Sequence, residues 1–266
     1  MNGWWILIFL VFSSSIPAFA VFFWFRIARY PISIIQFLLA LLAGAAAYFP
    51  ALIMQGFIPR DFFIAGRLGL VIQIFVPIAF PEELSRLIVL FIFFFVARKI
   101  NTLVHATKTI NSNSSDLTVP ASTPAPDTRQ TVYGNVVYCS AIGLIAGLGF
   151  AILESAAYGT SEAGVMLLRL FTAAPIHGTC GARIGSAAVL FRTHPVQGLF
   201  RFFSAVIIHG IYNYLIIMPG FAPIAAVLIA LFSLASSVLF IRSGMKSGTQ
   251  QTIKNNEVSQ RPIDKD

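Results

Sequence analysis

Three of the ten acidic residues and two of the four histidines stand inside apolar sequence, where ionisable side chains are rare. Glu82 and Glu83 head "PEELSRLIVLFIFFFVARK", with Arg86 one helical turn further on. Glu154 lies in "GLGFAILESAAYG", and His177 lies in "RLFTAAPIHGTCGARIG" between Arg169 and Arg183. His209 and Asn213, in "HGIYNYL", are spaced to share one helix face. An ionisable group inside a membrane costs roughly 2.5–3.5 kcal/mol, while net stabilities are only about 5–15 kcal/mol. Several such groups are tolerable together if they cluster, pair and face an internal cavity. A carboxylate with a raised pKa can take a proton from water. An imidazole can bind a metal or protonate a leaving amine, and an amide or arginine can stabilise an oxyanion. The set suits water-activated hydrolysis, although proton relays and ion pathways use the same groups.

Each member has a plainer reading when taken alone. Glu154 can be interfacial, His177 a hydrogen-bonded core residue, and Arg183 a snorkelling or paired cation. His105 and His194 read as solvated. Cys139 and Cys180 fall in apolar stretches without disulfide or metal spacing and read as small core residues.

The elements that position these groups are membrane helices. The chain has 266 residues, 57% of them hydrophobic, and a mean hydropathy of +0.82. Its 11% of charged residues compares with about 25% in a soluble domain. Apolar stretches of about 20 residues recur, the length needed to cross a ~30 Å hydrocarbon layer. Alternating decamers, the mark of a membrane β-barrel, are absent. The fold class is therefore all-α: a polytopic membrane bundle of about eight transmembrane helices. The candidate spans are 3–25, 31–57, 62–80, 81–96, 135–158, 164–190, 199–218 and 221–241. Residues 1–241 form a single transmembrane domain carrying a flexible Ser/Thr/Asn/Pro-rich loop at about 99–132. Residues 242–266 read as a disordered polar tail. "PAFA" ahead of Val21 resembles a signal-peptide cleavage site, but no Lys or Arg precedes the apolar run, so a retained first helix is favoured.

Pro81 is expected to open the fourth span, placing Glu82 and Glu83 in a first turn whose partial positive charge favours carboxylates. The net charge of +8 need not mean nucleic acid, and none is expected as a partner. The basic residues bias membrane orientation instead. With a cytoplasmic start and eight spans, Arg60 and Arg67, Arg98 to Arg129, Arg192 and Arg201, and the tail fall inside. Arg26 and Arg29 fall outside, and the two glutamates lie near the outer face. Between the adjacent carboxylates, Glu83 is expected to be the primary catalytic group and Glu82 the supporting one, with Arg86 restraining their charge.

Other intramembrane hydrolase patterns are missing. There is no HExxH, "GLGF" lacks the Asp of a GxGD site, and no serine in a GxSx context has a matching histidine. The chain resembles the PrsW family of intramembrane proteases, related to the CAAX prenyl endopeptidases and bacteriocin-immunity membrane proteins. Glu82-Glu83-x-x-Arg86 looks like that family's EExxK/R, and Phe150-Ala151-x-x-Glu154 like its FAxxE. Arg169, Pro175, His177 and Gly185 look like its third motif, and His209-Gly210-x-Tyr212-Asn213 like its HGxxN/D ending. Ser155 stands where the family pattern has Asn. The resemblance implies a multi-pass protease of a bacterial inner membrane, in a lipid bilayer, cutting membrane-protein substrates; a regulatory anti-sigma factor is one such substrate. It implies Glu82, Glu83, Glu154, His177, His209 and Asn213 as catalytic residues, with Arg86 and Arg169 in support. His177, His209 and Glu154 are the candidate ligands for Zn2+, with a metal-free glutamate mechanism as the other possibility. A non-enzymatic transporter or immunity factor built on the same polar cluster is the alternative.

Overall fold

The computed structural model describes residues 3–58, 66–113, 135–159 and 163–259, and among these the regular structure is entirely helical. The helices are α1 (Gly3–Ser14), α2 (Ile16–Ile27), α3 (Ile34–Gly56), α4 (Arg67–Ile74), α5 (Phe80–Asn113), α6 (Val136–Gly159), α7 (Ala163–Thr193), α8 (Pro195–Ile216) and α9 (Ala222–Ser259). Ser33 opens α3 with a capping box: its hydroxyl accepts from the Gln36 amide at 3.2 Å, and the Gln36 side chain accepts from the Ser33 amide at 2.9 Å. Asn135 does the same service for α6, accepting from the Val137 amide at 2.8 Å. Pro195 occupies the first turn of α8, so α7 and α8 form a tight hairpin about His194. Gly220, with φ of +77°, turns the chain from α8 into α9.

Four described helices are long and apolar enough to cross a membrane: α3, the 136–157 part of α6, α8 and the 222–245 part of α9. Their burial differs sharply. Within the most apolar window, 78% of α6 is buried, against 22–33% for the other three. The outer helices turn Leu42, Phe49, Phe200, Phe232 and Leu239 outward, an exterior suited to hydrocarbon rather than water. The chain is thus an integral membrane protein wrapped around α6. Close approach depends on glycine. A Cβ on Gly143 would collide with the Gly181 carbonyl of α7, one on Gly147 with the His177 carbonyl, and one on Gly44 of α3 with the Ala146 carbonyl.

The segmentation departs from the expected one in three places. Residues 62–80 and 81–96 do not form two helices, because α4 runs through a π-helical turn, Phe75–Ala79, directly into α5. Pro81 therefore does not open a helix, and Glu82 and Glu83 lie within a continuous helical path. The π turn, in which the Phe80 amide reaches back to the Phe75 carbonyl, widens the helix where Pro77 and Pro81 withhold amides. The first span is jointed at Ser15, although the Ser15 amide still reaches Val11 and the Phe19 amide reaches Ser15. Finally, α5 continues to Asn113 and α9 to Ser259, where a loop from about 99 and a disordered tail from Arg242 were expected. Once a helix is nucleated each further residue adds a hydrogen bond, so polar extensions propagate readily from long apolar helices. The rest of the expected loop, and residues 260–266, lie outside the described residues.

Candidate functional site

Glu82, Glu83 and Arg86 of α5, Glu154 of α6, His177 of α7 and His209 of α8 meet in one buried cluster. The glycine contacts bring α6 and α7 together at the depth of His177. On the other side, Gly210 leaves room for the Phe75 ring of the π turn, which seats α8 and His209 against the start of α5. Ser85, buried beside the glutamates, donates to the Ala47 carbonyl and ties α5 to α3.

Arg86 is the hub, at 1% exposure. Its Nη2 lies 2.9 Å from Glu83 Oε1, 3.6 Å from Glu82 Oε2 and 3.1 Å from His177 Nδ1. The guanidinium carbon sits 4.4 Å above the Phe150 ring, a cation–π contact in a dry setting. Its Nε and Nη1 are buried without a hydrogen-bond partner among the described residues. Since Arg only donates, His177 Nδ1 accepts, and Nε2 carries the proton toward Glu154 Oε2, 2.5 Å away. His209 Nδ1 donates to Glu83 Oε1 at 2.8 Å, which turns its Nε2 lone pair toward Glu82 Oε2 at 3.7 Å. The two imidazoles stand edge to face, 4.9 Å between centroids.

The adjacent glutamates have different surroundings, as their separation of about 100° around a helix requires. Glu83 is wholly buried and held through one oxygen by Arg86 and His209. Glu82 receives a hydrogen bond on Oε1 from Gln55 Nε2 of α3, at 3.1 Å, and its Oε2 has no hydrogen-bond partner among the described residues. Glu82 and Glu154 keep the larger side-chain exposures of the three carboxylates, 6% and 12%, against 0% for Glu83. The residues fit a divalent metal in donor type and spacing. Glu82, His177 and His209 bring one ligand atom each to within 4.8 Å of one another. Tetrahedral zinc with bonds of about 2.0–2.1 Å needs ligand atoms about 3.4 Å apart. To hold the ion the three side chains would have to draw closer, and His177 would exchange its contact to Arg86 or Glu154 for the ion. Glu154 contacts His177 rather than completing that trio.

Five of the expected residues and Arg86 thus converge. Asn213 is half-buried one turn beyond His209, and no hydrogen bond joins it to the cluster. Arg169 belongs to α7, but its side chain lies outside the described residues. Arg183 points elsewhere, to Thr179 and Ser237. Gln55 went unnoticed in the sequence: a lone glutamine near a helix end carries no signal until α3 is packed against α5. Phe150 was visible only as a motif letter, and its place beneath Arg86 is a matter of packing.

The sequence model of a family described as PrsW family intramembrane metalloprotease matches residues 33–238. No curated protein and no solved structure matches the chain.

Proposed function

Because the chain belongs to the PrsW family of intramembrane metalloproteases, we propose that it hydrolyses peptide bonds of membrane-protein substrates at the carboxylate–imidazole cluster. The observation that carries this is the convergence of three carboxylates, two imidazoles and a guanidinium from four helices in an otherwise apolar bundle. Burial of so many ionisable groups is costly unless they pair and serve a purpose. Glu82, His177 and His209 would hold the metal, with Zn2+ suited to a His2Glu donor set. The ion would supply Lewis-acid polarisation of the scissile carbonyl and of water.

The protein's own groups divide the remaining work. Glu83 holds His209 by Nδ1, fixing the tautomer that leaves Nε2 free, the usual task of a carboxylate behind a ligating imidazole. Gln55 fixes one oxygen of Glu82 and leaves the other for the ion or the reacting water. This reverses the expected roles of the two glutamates. Glu154, the most exposed carboxylate of the three, takes the proton from water and delivers it to the leaving amine, while the Nε2–H of His177 orients it. Arg86 offers its unpartnered Nε and Nη1 to the oxyanion.

A topology follows. Counting α1 with α2 and α4 with α5 gives seven crossings instead of eight. Residues 67–98 then form a path of about 48 Å with Glu82 and Glu83 at its midpoint. That matches the ~40–45 Å of a bilayer with its interfaces. The glutamates sit at mid-depth rather than near the outer face. With the start of α1 outside, Arg26, Arg29, Arg98, Arg192, Arg201 and Arg242 all fall inside, and Arg60 and Arg67 become the exceptions. We place the protein in a bacterial inner membrane on this reading, with a regulatory anti-sigma factor among its candidate substrates.

The test is cleavage of a single-span reporter by the purified chain in proteoliposomes. Wild type should cleave, lose activity to a chelator and regain it with Zn2+. Glu82→Gln should be inactive yet monodisperse. Wild-type cleavage by Glu82→Gln would sink the assignment.

A further inference from the structure

Four helices line an open-mouthed pocket, of about 250 Å³, on the side of the bundle that carries the α7–α8 turn. Its walls include Ser140 of α6, Arg183 of α7, Arg201 of α8, and Ser236, Ser237 and Phe240 of α9. Arg183 is anchored through one nitrogen: Nη1 donates to Thr179 Oγ1 at 2.6 Å, to the Thr179 carbonyl at 3.3 Å and to Ser237 Oγ at 3.0 Å. Thr179 is itself tied to α9 by a bond to the Ser233 carbonyl at 2.8 Å. Arg201 lies over the Phe240 ring, 5.1 Å from its centroid. No carboxylate lines the cavity, and neither arginine forms an ion pair among the described residues. Ser140 and Ser237 are buried on the inner wall, while Ser236 is exposed at the mouth.

Two guanidinium groups facing one small cavity repel each other and lack a counter-charge among the described residues, whereas Arg86 of the catalytic cluster is paired with two carboxylates. Planar guanidinium groups bind phosphate oxygens in pairs, and serine hydroxyls complete such a shell. The depth is right for a lipid headgroup. Ser140 lies about one turn from the start of α6 and Arg201 about two turns from the start of α8. Both are on the side assigned inward by the basic residues, facing the anionic leaflet. Outside the cavity α8 and α9 expose Phe200, Phe232 and Leu239, an apolar surface along which acyl chains can lie.

We propose that this cavity is a phosphate-group site that takes the headgroup of an anionic phospholipid. The site is separate from the hydrolytic centre and does not depend on the reaction assigned there; it rests on the chain lying in a bilayer with the orientation proposed above.

The test is lipid binding by the purified full chain in detergent, read by native mass spectrometry and by thermal shift, with phosphatidylglycerol, phosphatidylcholine and inorganic phosphate as probes. Phosphatidylglycerol should bind and stabilise, and phosphatidylcholine should do neither. Arg201→Gln should weaken phosphatidylglycerol about fivefold, the usual value of one basic residue at an anionic surface. Ser236→Glu, at the exposed mouth, should weaken it at least as much without disturbing the buried wall. Equal binding of the two lipids, or wild-type phosphatidylglycerol affinity in both variants, would overturn the site. Saturation by inorganic phosphate with no preference for the lipid would overturn the lipid assignment and leave a free-anion site.

Discussion

Replacing Gln55 with Leu removes a single hydrogen bond and keeps most of the side-chain volume. The bond runs from Nε2 to Glu82 Oε1 at 3.1 Å, and Glu82 is only 4% exposed. Hydrogen bonds to charged groups contribute about 1.5–3 kcal/mol, a factor of roughly 10 to 150. Gln55 is itself half-buried, so water can partly replace its amide and the lower end applies. The expected cost is therefore about tenfold, and it should appear in metal affinity and turnover together, because an outer partner acts by orienting the ligand it holds. The assay is reporter cleavage in proteoliposomes across a Zn2+ titration, with thermal unfolding of the same samples. Gln55→Leu should need about ten times more Zn2+ for half-maximal activity while unfolding near the wild-type temperature. Wild-type zinc dependence and rate would refute Glu82 as a group positioned from α3. An equal loss at saturating Zn2+, with a large fall in unfolding temperature, would refute the positioning role in favour of a purely structural one.

Arg86→Leu strands the buried Glu83 and should destabilise the fold by about 3–5 kcal/mol, as removal of one partner from a buried ion pair does; adding Glu83→Gln should recover part of the loss in thermal unfolding. Gly147→Ala drives a methyl group into the His177 carbonyl, whereas Gly178→Ala meets side chains at ordinary contact distance, Leu148 at 3.4 Å and Leu144 at 3.9 Å. The first should lose monodispersity on size exclusion and the second should keep it. An impermeant thiol reagent applied to intact cells should label a cysteine at Asn2 but not one at Ser122, since the native Cys139 and Cys180 are buried and silent. Labelling at Ser122 would reverse the orientation.

Membrane insertion and an all-helical fold follow from composition and run length alone, because lipid leaves a backbone no other partner than itself. The candidate groups were legible for a related reason. Glu82, Glu83, Glu154, His177 and His209 stand out against apolar sequence, and burial at that cost is informative without any coordinates. Helix boundaries were less legible. Pro81 reads as a start, but a π turn can absorb a proline, and here the turn carries Phe75 against Gly210 of α8. Pairing was not legible at all. Which carboxylate meets which imidazole is set by the rotation of four helices about their axes, and glycines at 143, 147, 181 and 185 determine how closely two of those helices approach. Only that packing gives Glu83 to His209, Glu154 to His177 and Glu82 to Gln55. Local spacing reports what shares a face of one helix; contacts between helices arise from shape, and shape is a property of the assembled bundle.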